Sequence, residues 1–280
     1  MTMSTFKSFA VLALLFCLTM GIQTSPVQAQ AYKEAFNAAI EAARANDYPT
    51  ARDEFARAAE LASQENDTEI ATKSASNAAI IDYNIGKGLV EQENFAGALE
   101  RFNAGIAMYP SYVNNYEGKA LALKKLERVE EAIQAYEALI AFGNEHSDSQ
   151  ALRKGETGIR DHFNFLASSA LGRRAEPSAS DAREAIASLE ELQERVDPDA
   201  DTYFYLAVAH NALGNYEQAV SLADQALSLH RGSRTDAAKI HFTRGEALMY
   251  AGNITAAKES FENARFGSYR SPAEHYLETL

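Results

Sequence analysis

The chain has 280 residues, with no tryptophan, 6 prolines, 15 glycines and a formal charge of −13 at pH 7. That length suits one or two ordinary domains or one extended repeat array, and so few turn formers disfavour a turn-rich β sandwich. The acidity argues against nucleic acid and anionic lipid as partners, because a phosphate-reading surface must be basic.

Residues 1–29 read as a secretory signal peptide. Lys7 is the only charge before an apolar run over 9–22, and Val27, Gln28 and Ala29 place small side chains before a cut. The run is too short to span a bilayer comfortably, and no twin arginine precedes it, so general secretion is the expected route. The one cysteine, Cys17, follows the bulky Phe16 inside this segment, which argues against lipid attachment. The mature chain would then lack disulfides and carry −14, Lys7 being subtracted from −13. Its expected location is a periplasm or the secreted fraction, with no membrane contact in the mature form.

From Ala31 the pattern is helical. Residues 32–65 read as two helices turning at Asn46 and Asp47, with Pro49 in the first turn of the second and Tyr48, Ala51, Phe55 and Ala58 along it. Asp67 is a candidate N-cap for one long helix over about 68–92. Its leading turns are expected to project roughly 15–20 Å beyond the repeat stack at 1.5 Å per residue. Over 79–146 a 34-residue pattern then runs twice without a gap. Gly86, Leu89, Phe95, Ala98, Phe102, Gly105 and Pro110 recur as Ala120, Leu123, Val129, Ala132, Tyr136, Leu139 and Asn144. Small residues fall where helices approach closely, and large apolar ones fill the space between. That period, with a small residue, an aromatic and a closing proline in those slots, resembles the tetratricopeptide repeat.

Beyond it, Gly143 and Asn144 are expected to stop a helix. Residues 151–197 are less regular. One helix near 151–171 carries Ile159, Phe163, Leu166 and Leu171, a loop holds Pro177, and a second helix carries Ala185, Leu189 and Leu192. The pattern recovers over 200–233 (Tyr203, Leu206, Ala207, Gly214, Tyr216, Ala219) and 238–271 (Gly245, Leu248, Gly252, Ile254, Ala257, Phe261). Ser271 as N-cap, Pro272 at the first helical position and Glu274 as capping-box partner predict a short capping helix over 272–280, laying Tyr276, Leu277 and Leu280 over the end of the stack.

The resemblance implies an all-α, right-handed superhelical solenoid of about six helical hairpins in one body over 30–280: 32–65, 79–112, 113–146, a degenerate 151–197, 200–233 and 238–271. It departs from the family at the aromatic slot opening several units, which holds Ala35, Asp82 and His241.

Catalytic chemistry finds no pattern. The six histidines never pair at metal-binding helical spacing, and there is no nucleophile elbow, no phosphate loop and no cysteine outside 1–29. No catalytic residue, metal or cofactor is therefore expected, and the chain is read as non-enzymatic.

In the family the first helix of each hairpin lines the groove. The resemblance places there Lys33, Phe36 and Asn37; Tyr83, Asn84 and Lys87; Asn114, Glu117 and Lys124; Phe204, Tyr205 and Asn211; and Lys239, Phe242 and Glu246. Aromatics offer apolar contact and asparagines can pair with a peptide backbone. Burial of Phe204 and Phe242 against neighbouring helices is the competing account of those two rings. Tyr83, Gly118 and Leu121 occupy positions where some relatives clamp acidic C-terminal tails, so that specificity is not expected. The resulting expectation is an exported scaffold binding a protein or peptide. The alternatives are a self-assembling envelope protein and an enzyme or small-solute receptor with a pocket near 151–197.

Overall fold

A computed structural model describes residues 26–280; most of the expected signal peptide, Cys17 included, lies outside the described residues. Among the described residues the chain is all-α, consistent with a helical solenoid: thirteen α-helices, one 3-10 turn and no strand. The helices are α1 (Pro26–Arg44), α2 (Tyr48–Gln64), α3 (Thr68–Glu91), α4 (Phe95–Met108), α5 (Asn114–Lys125), α6 (Val129–His146), α7 (Ser149–Leu171), α8 (Ala179–Gln193), α9 (Ala200–Ala212), α10 (Tyr216–Leu229), α11 (Arg234–Tyr250), α12 (Ile254–Asn263) and α13 (Arg270–Thr279). The 3-10 turn, Gly267–Tyr269, leads directly into α13. The chain divides into two compact units, Met1–Asn77 and Ala78–Leu280, with the boundary inside α3.

The second helix of most hairpins opens from a one-residue left-handed corner. Asn46, Glu93, Glu127, Gly214 and Gly252 all take positive φ, each two residues before the next helix begins. The intervening residue caps that helix in three of the five, while Asn215 turns to His210 instead. Asp47 accepts from the Thr50 amide, Asn94 from Gly97 and Asn253 from Ala256, which satisfies first-turn N–H groups left without helical partners. Arg128 makes no such bond. Elsewhere Asp148 and Asp199 cap α7 and α9, while Ser178 with Asp181 and Ser233 with Asp236 form complete capping boxes on α8 and α11.

In the first unit α1 packs on α2 through Ala35, Ala39, Ala51 and Phe55. The start of α3 is tied down rather than projecting. The Tyr32 hydroxyl donates to Asp67 at 2.7 Å, Lys73 lies 5.5 Å over the Phe36 ring, and Ser74 is fully buried. The Ser74 hydroxyl is buried there without a hydrogen-bond partner among the described residues, a cost that the surrounding packing must offset.

In the second unit consecutive helices pack in antiparallel succession from α4 to α13, and α9 also contacts α7 and α11. The small-residue rule has a specific cause. A Cβ on Gly86 would lie 2.7 Å from the Phe102 ring, and one on Gly118 would press on the same ring. Sixteen residues apart like Gly86 and Phe102, Gly245 and Phe261 repeat the contact at 2.7 Å. Ala98 and Ala132 are fully buried in the Phe102 cluster. A second cluster joins Ile159 and Phe163 of α7 to Leu189 and Leu192 of α8 and Leu206 of α9. A buried polar tie accompanies it: Thr202 donates its hydroxyl to Asn164 at 3.1 Å or to Asp199 at 2.8 Å.

Local expectations change at two points. The helix expected to stop at Gly143 and Asn144 runs to His146 and ends at Ser147, whose left-handed φ of 54° supplies the stop. Gly143 serves close packing instead, since a Cβ there would lie 2.7 Å from the Leu152 backbone nitrogen. On α7, Leu166 is exposed beside Phe165, while Ile159, Phe163 and Leu171 are buried. Ser271 is not an N-cap. The 3-10 turn feeds α13 from Arg270, so Ser271 and Pro272 fall inside the first helical turn, where a missing N–H costs nothing.

Candidate functional site

The second unit contains a cavity of about 930 Å³. Its floor is made by α9 (Phe204, Tyr205, Val208, Asn211) and α11 (Lys239, Phe242, Thr243, Glu246). The end of α7 and the following loop supply one wall through Leu171, Arg174, Glu176 and Pro177. Tyr216, Tyr250, Tyr269 and Tyr276 close the remaining sides. Helix periodicity explains the floor: positions three and four apart share a face, and both helices turn that face the same way.

Aromatic rings dominate. Phe242 sits 5.3 Å from Tyr269 and 5.8 Å from Tyr276, and Tyr276 stacks on Phe261 at 4.7 Å. Tyr216 and Tyr250 stack at 5.3 Å. Phe204 and Tyr205 lie 5.1 Å apart beneath the Lys239 ammonium, which is 4.6 Å from the Phe204 centroid. Phe204 itself is only 8 % exposed, so this ring, expected in an open groove, is chiefly packed on Ile240 and Ala207. Phe242 remains half-buried.

Two polar groups stand out among these rings. Asn211 donates Nδ2–H to the Thr243 carbonyl at 3.1 Å, and its Oδ1 has no hydrogen-bond partner among the described residues. Glu246 accepts from the Tyr276 hydroxyl at 3.4 Å. Burial pushes its carboxyl up to about 7; the Tyr276 hydroxyl partly offsets this and Glu176 adds to it. Burial also raises the Tyr276 and Tyr269 hydroxyls. The cavity's two cations are engaged: Lys239 pairs with Asp201 at 2.7 Å, and Arg174 lies 3.7 Å from Asp181.

Of the residues expected in a groove, the cavity gathers Phe204, Tyr205, Asn211 and Phe242, together with Lys239 and Glu246. The others lie elsewhere. Tyr83 is half-buried, its ring 6.0 Å from Phe102 and 5.7 Å edge-on to Tyr112, while Asn84 and Lys87 are exposed on α3. Asn114 and Glu117 both bind Lys154 of α7, Asn114 at 3.3 Å, so they serve as a tie between helices. Lys124 lies 5.3 Å over Tyr136, and burial lowers its ammonium against the opposing pull of Asp161. Phe36 and Asn37 belong to the first unit, where Phe36 packs edge-on to Phe55 at 5.5 Å.

The loop wall and Tyr216, Tyr250 and Tyr269 were not anticipated as site residues. No local pattern marks them, although a run of tyrosines this dense after 200 is itself a signal. Among the described residues no cluster of three or more His, Cys, Asp or Glu could hold a metal, and no helix is long and apolar enough to cross a membrane.

Comparison with known proteins bears on the fold. A tetratricopeptide repeat family model matches residues 83–146 and 174–237. A search of curated proteins finds none that matches. Among solved structures, YrrB, described as a TPR protein with an unusual peptide-binding site, is 15% identical with a TM-score of 0.37, covering 72% of this chain and 91% of its own. A thermophilic TPR protein of Thermus thermophilus is 17% identical, with a TM-score of 0.34 and coverage of 71% and 99%. One from Parabacteroides merdae is 14% identical, with a TM-score of 0.33 and coverage of 89% and 98%. Over these two segments the chain is similar to the tetratricopeptide repeat family.

Proposed function

We propose that the chain is an exported, non-enzymatic scaffold that binds a peptide segment of a protein partner in the α9–α11 cavity. One observation carries this reading. A cavity of about 930 Å³ is lined by aromatic rings from three helices and the turn before α13, Phe204, Tyr205, Phe242, Tyr269 and Tyr276, and held in shape by the Asn211–Thr243 bond between α9 and α11. Aromatic rings supply contact area at low entropic cost. Proteins of this repeat family typically act as interaction scaffolds, which fits the same reading. Export rests on Lys7, the apolar run over 9–22 and the small residues at 27–29.

Selection from a random peptide library on the full chain tests the binding. Enriched peptides should lose at least about tenfold in affinity on Phe242→Ala or Tyr205→Ala, as expected when an aromatic anchor is removed. Peptides that bind both variants as tightly as wild type would place recognition elsewhere. Intact-mass analysis of envelope material tests export: a mature N-terminus at Gln30 is expected, and retention of residues 1–29 overturns it.

A small-solute receptor is the second reading, favoured by the 172–177 loop closing one side of the cavity. A solute retained through native purification, seen by native mass spectrometry and lost on Phe242→Ala, would favour it over the peptide scaffold.

A further inference from the structure

Building on the peptide-binding reading, we propose that the Glu246 end of the cavity receives a basic side chain, lysine or arginine, of the bound peptide. The charges of the cavity decide the sign of its occupant. Lys239 and Arg174 face it, but each already has an acid at hand outside the lining, Asp201 and Asp181. Glu246 and Glu176 also line the cavity, and among the described residues neither has a basic partner. The cavity therefore presents two carboxyl groups with no counter-cation, while Lys239 has Asp201 and Arg174 shares Asp181 with Arg173. An acidic or C-terminal carboxylate entering here would meet that excess.

Geometry selects the shape of the occupant. Glu246 lines the cavity beside a packed aromatic surface, Phe242 lying 5.3 Å from Tyr269 and 5.8 Å from Tyr276, and it accepts from the Tyr276 hydroxyl. A lysine or arginine carries a long apolar stem ending in a charge, so the stem packs on rings while the head reaches the carboxylate. Ring faces attract a cation within about 6 Å of the centroid. An ion pair in this partly desolvated place is stronger than one at the surface. A purely apolar side chain would cover the rings but leave Glu246 without a counter-charge.

The test uses the full chain and the peptides enriched by library selection. Each enriched peptide is resynthesised with its basic residues replaced one at a time by norleucine, which keeps the stem and removes the charge. One replacement should weaken binding to wild type by about tenfold or more and have little effect with Glu246→Gln, the loss being shared between the two groups. Glu176→Gln, a change on an exposed loop that cannot disturb the core, should weaken binding of the same peptide by about two- to threefold. If peptides bind in the cavity, by the Phe242→Ala criterion, yet norleucine substitution changes nothing, the cationic occupant is overturned and the peptide reading stands. If no peptide depends on Phe242, both fall.

Discussion

The Tyr276 hydroxyl of α13 donates to the Glu246 carboxylate of α11 at 3.4 Å, joining the last helix to the floor of the cavity. Burial holds that carboxyl up to about 7 against an ordinary 4.5, with Tyr276 offsetting and Glu176 adding to the effect. Between about 4.5 and 7 the folded chain keeps a proton that the unfolded chain has released. This group's contribution to stability is thus greatest below about 4.5, falls as pH rises through that window, and levels off above 7. At pH 8 Glu246→Gln should be more stable than wild type by up to about 3 kcal/mol, and near pH 4 the two should unfold alike. Urea denaturation at both pH values measures the difference; a gap that does not change with pH shows that Glu246 does not titrate in this range.

Two helical glycines should respond in opposite directions. Gly245→Ala would drive a Cβ to 2.7 Å from the Phe261 ring, and should destabilise by about 1–3 kcal/mol. Gly88 of α3 has nothing within 4 Å of the corresponding position. Gly88→Ala should therefore stabilise by about 0.5–1 kcal/mol, the usual gain from alanine in a helix. Thermal melts of the two variants decide this, and equal shifts would show that Phe261 moves aside freely.

The left-handed corners give a second pair. Glu127 takes φ of 60° where the later hairpins use Gly214 and Gly252 at 77° and 82°. Glu127→Gly should raise stability by about 0.5–1 kcal/mol, strain relief exceeding the entropy added to the unfolded chain. Gly214→Ala should lower it by about 1 kcal/mol. Denaturation midpoints measured on the same day report both; a loss in Glu127→Gly would mean its side chain holds the corner.

Tyr83 and Asn84 are neighbours on α3 with different expected fates. Tyr83 packs on Phe102 and Tyr112, so Tyr83→Ala should cost about 1–3 kcal/mol of folding stability. Asn84 is exposed, and Asn84→Ala should change stability by less than about 0.5 kcal/mol. Calorimetry on each single variant separates them, and a Tyr83→Ala protein melting as wild type would restore that ring to the free surface.

The repeat period and its small-residue slots were legible because they are local physics. A 34-residue spacing of Gly86, Ala98 and Phe102 with Ala120, Ala132 and Tyr136 reports which positions on paired helices meet, and the same residues lie in the cluster around Phe102. The corner at Asn46 was legible, but Gly143 and Asn144 announced a stop that falls instead at Ser147, and Glu93 and Glu127 reach positive φ without a favourable residue. Position on a first helix did not by itself determine what a side chain touches. Asn114 and Glu117 share the expected face with Tyr205 and Asn211, yet Lys154 from α7 takes them both, a contact across about 40 positions that no periodicity encodes. The cavity is of the same kind. Its floor follows from helical phase on α9 and α11, but Glu176 in the loop and Tyr276 on α13 reach it only because the chain passes those helices again. Sequence alone therefore determined the helices and their pairing, which depend on neighbours within one or two turns. Tertiary packing decided which polar groups were consumed and which carboxyl was buried among rings, since those outcomes depend on residues brought together from distant repeats.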